Sequence, residues 1–119
     1  MSFLYESRTY SSEKNVLIRC VRIFGRWSVR VAGIDQTSPY VSAIWKRALR
    51  RVSKNSSIKK VLILGLGAGG NIKLIHRKFS GAKNTAIEWD PIMVDIAKNL
   101  KFFKQDKSPF LIIDDALKA

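Results

Sequence analysis

The sequence predicts an α/β fold: an N-terminal β-hairpin segment, then the first half of a parallel sheet in strand order 3-2-1 with flanking helices. Three observations predict it. Residues 16–32 hold two β-patterned runs around a glycine turn. Lys60-Val61-Leu62-Ile63-Leu64 is a short apolar run that breaks into the cluster Gly65-Leu66-Gly67-Ala68-Gly69-Gly70, as a buried parallel strand does when it turns into a helix. Two more apolar runs follow, at 85–89 and 110–113, each after enough chain for a crossover helix.

At 119 residues the chain suffices for one domain with a real core and is too short for two. Within it the expected units are a hairpin segment over 1–37 and a partial nucleoside-binding unit over 38–119, apparently truncated. The net charge of +13 is unevenly placed. Residues 1–60 hold 13 Lys or Arg against 3 Asp or Glu, whereas residues 61–119 hold 9 against 6. The basicity therefore belongs to the leading segment, where it would attract nucleic acid or an anionic surface without dictating fold. No apolar run approaches the ~20 residues of a membrane span, and the polar start is not a signal peptide. A cytoplasmic protein is expected, with the single Cys20 as a small core residue.

Taken in order, residues 1–14 are polar and read as an entry segment or weak edge strand. Val16 to Ile23 reads as a strand, Phe24-Gly25-Arg26 as a turn, and Trp27 to Ala32 as a second strand with Trp27, Val29 and Val31 on one face. Gly33 to Thr37 reads as a loop. Ser38-Pro39 starts a helix, Ser as N-cap and Pro at the first helical position. That helix extends to about Val52, with Val41, Ile44, Trp45, Ala48, Leu49 and Val52 as its inward stripe. After the glycine cluster a helix over about 70–79 offers Ile72, Leu74, Ile75 and Phe79 to the sheet. Asp90-Pro91 repeats the cap-plus-proline start for a helix to about 103.

Gly65-x-Gly67-x-x-Gly70 satisfies the dinucleotide fingerprint of a Rossmann-like turn, and Glu88 stands about where an acid meets a ribose. By itself that pattern fits any adenosine-type cofactor. Four glycines in six residues exceed what a tight turn requires. Asp114-Asp115-Ala116 adds a second acidic site, able to accept from an adenine amine while Glu88 accepts from ribose hydroxyls. Such a site suits a sulfonium nucleoside with an amino acid tail better than a pyrophosphate. Each acid also has a plain structural role open to it: Glu88 as a solvated strand end, Asp115 and Asp90 as helix caps.

Gly65 to Gly70, Ile87-Glu88-Trp89-Asp90 and Ile113-Asp114-Asp115-Ala116 together resemble the nucleoside-binding motifs of class I S-adenosylmethionine-dependent transferases. Within that superfamily the chain is most similar to the N-terminal half of the spermidine synthase family of polyamine aminopropyltransferases. The Gly33-Ile34-Asp35-Gln36 loop and the aromatic-bearing helix after it match that family's N-terminal pattern. The resemblance implies a transferase of polyamine biosynthesis with decarboxylated S-adenosylmethionine or S-adenosylmethionine as co-substrate, an amine acceptor, and no metal. It also implies that Gln36 contacts the substrate or amino acid tail. Gly65, Gly67, Gly69 and Gly70 would hold tail and ribose, Glu88 the ribose hydroxyls and Asp115 the adenine.

The chain departs from the family twice. Thr37 to Ser42 lacks its usual acidic pair, which helps hold a cationic polyamine, and Trp45 stands where a Tyr is common. The family's catalytic aspartate follows a fourth sheet strand, and this sequence stops at Ala119 before one. The catalytic residue is therefore unknown, and the expectation is a fragment of a longer transferase whose exposed sheet edge favours a homo-oligomer. Rival readings are a methyltransferase, with RNA as one acceptor class, a nicotinamide-dependent dehydrogenase, and a noncatalytic nucleoside- or nucleic-acid-binding module. Lys46, Arg47, Arg50, Arg51 and Lys54 form a basic helix face that would lie along phosphates, or would simply be a solvated surface. His76 reads as a surface residue, and no metal-ligand spacing is present.

Overall fold

The computed structural model describes residues 5–52 and 57–118, so Lys54 lies outside the described residues. The chain opens with four antiparallel strands in sequential order: β1 (Tyr5–Tyr10), β2 (Ile18–Ile23), β3 (Arg26–Val31) and β4 (Ile34–Thr37). Two-residue turns join β2 to β3 and β3 to β4, while residues 11–17 connect β1 to β2. Phe24 and Gly25 have φ of 48° and 78°, and Ala32 and Gly33 have φ of 50° and 81°. Positive φ at both central positions is the twist-matched hairpin geometry. The second of these turns corrects the loop expected over 33–37: most of it is β4, with Val31 opposite Ile34 and Val29 opposite Thr37. Asp35 and Gln36 gave no alternating apolar signal, because β4 is short and half wetted. The hairpin segment is thus a four-stranded sheet.

Helix α1 (Pro39–Arg50) starts as expected, Ser38 Oγ accepting from the Val41 N–H at 3.1 Å. Its apolar stripe is not inward as expected. Val41 and Leu49 are half-covered, but Ile44, Trp45, Ala48 and Val52 are exposed, and no residue of α1 is buried. The reason lies in position: α1 packs mainly on β4 and α2, and reaches the core of the parallel sheet through Leu49.

The second sheet is parallel, β5 (Lys60–Leu64), β6 (Lys83–Glu88) and β7 (Phe110–Ile113), with β6 central. This is the 3-2-1 order of a partial Rossmann-like unit. Helix α2 (Ile72–Lys78) and helix α3 (Pro91–Asn99) make the crossovers. Lys101 at φ 56° closes the stretch after α3, so Phe103, expected on the helix, lies beyond it and is still buried. A 3₁₀ turn over Gln105–Lys107 was not anticipated.

Helices cover one face of this sheet rather than both. Val61, Ile63, Ala86 and Leu111 pack with Ile72, Ile75, Val94, Ala97 and Phe103. The opposite face, carrying Leu62, Leu64 and Phe110, is 59%, 62% and 71% exposed at those residues, and β5 is a sheet edge. A second core joins the two sheets: Ile18, Cys20 and Val29 of the antiparallel sheet pack with Ala68, Met93, Ile96 and Leu100. No helix among the described residues is long and apolar enough to cross a membrane.

Candidate nucleoside-binding site

The glycine turn between β5 and α2 is built from the backbone. Gly65, Gly67 and Gly69 have φ of 84°, 57° and 81°, a region that penalises any Cβ. A Cβ at Gly65 or Gly67 would meet nothing within 4 Å, so both face open space. Gly70 serves close approach instead: its added Cβ would lie 2.3 Å from Thr37 Cγ2, pressing the end of β4 into the turn. Gly69 is spaced similarly against the Phe103 ring, at 2.8 Å.

At the carboxyl end of β6, Glu88 is buried and bridges two main-chain donors. Its Oε1 accepts from the Gly67 N–H at 2.8 Å and its Oε2 from the Asp90 N–H at 3.0 Å. Each carboxylate oxygen retains a second lone pair for a ligand hydroxyl. Asp90 is fully buried and is spent on structure. One oxygen caps α3 through the Ile92 N–H, and the other accepts from Ser12 Oγ and Asn15 Nδ2 of the β1–β2 connection. At the end of β7, Asp115 Oδ1 accepts from the Leu117 N–H at 2.9 Å, capping a turn rather than a helix. Its Oδ2 has no hydrogen-bond partner among the described residues.

These elements enclose a cavity of about 630 Å³. Gln36, Gly65, Gly67, Gly70, Glu88 and Asp115 all line it, and Gly69 does not. Asn15, Trp45, Trp89 and Asp114 also line it. Asn15 was missed because it sits in an aperiodic polar segment; only the fold brings it there. Lys14 Nζ stands 4.7 Å from the centroid of the Trp89 ring. All three carboxylates of the cavity wall, Glu88, Asp114 and Asp115, belong to the ends of β6 and β7, and none comes from α1. No group of three or more His, Cys, Asp or Glu able to hold a metal occurs among the described residues.

No family model matches the sequence. Over 59 residues, half of this chain, it is 44% identical to an eEF1A lysine and N-terminal methyltransferase homolog of Drosophila melanogaster. The corresponding protein of Drosophila pseudoobscura pseudoobscura is 42% identical over 59 residues. The chain spans 9% of the length of each of these relatives. Among solved structures, a spermidine synthase in complex with the transition state analogue AdoDATO superposes with a TM-score of 0.69 at 22% identity, over 91% of this chain and 40% of that one. A probable spermidine synthase from Corynebacterium glutamicum gives a TM-score of 0.60 at 14% identity, over 98% of this chain and 43% of that one. The partial Rossmann-like fold is therefore shared with the spermidine synthases over about two fifths of their length.

Proposed function

We propose that this chain is the nucleoside-binding half of a group transferase that uses an S-adenosylmethionine-type co-substrate. The observation that carries the reading is the meeting of Glu88, Asp115 and the open glycine turn in one cavity at the carboxyl end of a parallel sheet. The cavity's size falls in the range of small-molecule sites, roughly 300–1,000 Å³. Glu88, held by two amides, would accept from the ribose hydroxyls. The free oxygen of Asp115 would accept from the adenine amine. The backbone of Gly65 and Gly67 would run under the sulfonium tail, where a side chain would intrude, and Gln36 would face the tail from β4. When bound, such a nucleoside supplies an activated carbon and a thioether leaving group. The residues of this chain bind and orient it.

Methyl transfer is the reading favoured for the acceptor chemistry. The α1 side of the cavity presents Val41, Ser42 and Trp45 and no carboxylate to neutralise a polyamine. The relatives at 44% and 42% identity are methyltransferase homologs. Aminopropyl transfer is the second reading, supported by the antiparallel sheet that ends in Gln36 and by the superposition of 91% of the chain on a spermidine synthase. The units 1–37 and 38–119 fit this reading as a substrate-side sheet and a nucleoside-side unit that share one core.

Calorimetric titration with S-adenosylmethionine, its decarboxylated form, 5′-methylthioadenosine and NAD tests it. Tighter binding of intact S-adenosylmethionine supports methyl transfer, and preference for the decarboxylated form or methylthioadenosine supports aminopropyl transfer. Binding of NAD alone, or of none of the four, overturns the proposal.

A further inference from the structure

A second furrow borders the crevice, sharing Thr37, Ser38, Ser42 and Gly70 with its wall. It measures about 410 Å³ and runs between the β2–β3 turn, α1 and α2. Arg26, Lys46, Lys73, Arg77 and Lys101 line it, and no Asp or Glu does. A hollow of about 260 Å³ continues it, sharing Lys73 and Arg77 and adding Lys104 and Lys107, again without an acid. Each of these cations is exposed. The ion pairs among the described residues engage Glu6 and Asp35 with Arg8, Arg22 and Arg30 of the antiparallel sheet, not the furrow.

A concave surface with charge of one sign focuses potential and gathers anions along its length. Lys73 and Arg77 stand one helical turn apart on α2, so their charges follow a chain of anions rather than a single one. Two part-exposed aromatic rings, Trp27 and Phe102, lie in the same wall among the cations. Trp27 already carries the Arg8 and Arg22 guanidiniums, 5.0 and 5.4 Å from its ring centroid, so Phe102 is the ring offered to a ligand. An aromatic ring set among cations suits a flexible polyanion that carries flat bases, since every base has a face to stack. An acidic polypeptide would answer the charges and leave the Phe102 ring unused. A duplex is read by an element that projects into its groove, whereas this surface is recessed. Among the described residues of the basic face read from the sequence, Lys46 lines the furrow and Arg47, Arg50 and Arg51 do not.

We propose that this furrow binds single-stranded nucleic acid along its phosphate backbone, next to the nucleoside crevice. The test is fluorescence anisotropy with labelled single-stranded RNA and DNA of equal length, repeated across salt concentrations, with poly-glutamate as competitor. The double variant K73E/R77E is expected to lose at least tenfold in affinity and to flatten the salt dependence by about 1.4, at ~0.7 per phosphate contact. The control R47E/R50E, equal in charge change, is expected to lose less than threefold, and K73R/R77K to bind like the parent. Should K73E/R77E fail a circular dichroism check of folding, K73Q/R77Q replaces it, with a loss of at least threefold. RNA preferred over DNA would assign 2′-hydroxyl contacts, and equal affinity a backbone-only site; both support the proposal. It is overturned if the parent binds neither strand, if both charge-reversed pairs lose equally, or if poly-glutamate binds as tightly as the oligonucleotides.

Discussion

The carboxylate of Glu88 accepts the N–H of Gly67 at 2.8 Å, tying the end of β6 to the glycine turn after β5. Twenty-one residues of sequence separate them, so this bond fixes the turn's position on the sheet as well as its shape. Glu88 therefore has two duties, holding the turn and, as proposed, meeting the ribose.

Asp115 ties no second strand: it caps its own exposed turn through the Leu117 N–H and, as proposed, meets the adenine, so the two acids should respond differently to the loss of charge. Glu88→Gln leaves one of two buried amides facing an NH₂ group and should cost about 1–3 kcal/mol of stability along with nucleoside affinity. Asp115→Asn keeps its exposed turn bond and should melt like the parent while binding nucleoside at least tenfold more weakly. Urea denaturation beside calorimetry separates the two effects. Equal stability loss at both sites would contradict the division of roles.

Asp90 anchors the antiparallel sheet to the parallel one through Ser12 and Asn15 and caps α3 through Ile92. Asp90→Ala removes the cap and orphans the Asn15 side-chain amide, while Ser12 Oγ keeps its bond from the Asn15 N–H. The expected loss is about 2–4 kcal/mol, read from the urea midpoint. A change under about 0.5 kcal/mol, the range of surface substitutions, would show that the clamp carries no load.

Gly70 and Thr37 test the contact between the β4 end and the turn. Gly70→Ala forces a methyl to within 2.3 Å of Thr37 Cγ2, and overpacking of this kind costs about 1–3 kcal/mol. Thr37→Ala removes that methyl group, so the double variant should recover most of the loss. A double-mutant cycle measures the coupling. Simple additivity would mean the two residues do not meet.

Cys20 should make stability fall at high pH. Burial pushes its thiol up to about 11 from an ordinary value of 9.0, against a smaller opposing pull from the Arg8 charge. Between those values the unfolded chain releases the proton and the folded chain keeps it, so unfolding is favoured as pH rises. The full difference is about 2–3 kcal/mol, at 1.36 kcal/mol for each unit. Urea melts from pH 8 to pH 11, comparing the parent with Cys20→Ala, should show this decline in the parent beyond that of the variant. Parallel curves would contradict it.

Much of the fold was legible because its signals are local. The apolar run 60–64 into clustered glycines, and Ser38-Pro39 and Asp90-Pro91 at helix starts, each announce an element without tertiary help. β4 was not legible, since Asp35 and Gln36 are held in a strand by β3 and not by their own patterning. The stripe of α1 misled for the opposite reason. Its periodicity is sound, but what a helix face touches depends on neighbours, and among the described residues little lies over Ile44 and Trp45. At the site, the residue types and spacing of Glu88 and Asp115 pointed to the crevice. That Asp90 is consumed by Ser12 and Asn15, and that Asn15 reaches the cavity wall, follows from packing across more than 70 residues.

The glycine turn and the two carboxylates are proposed to form one nucleoside site. The most direct measurement is a titration of the ¹⁵N-labelled chain with 5′-methylthioadenosine, followed by amide chemical shifts. Shifts should concentrate at Gly65, Gly67, Gly70, Glu88 and Asp115, with Lys73 and Arg77 unmoved. Saturation with no movement of the Gly67 and Asp115 amides, or movement confined to the cationic furrow, would contradict it.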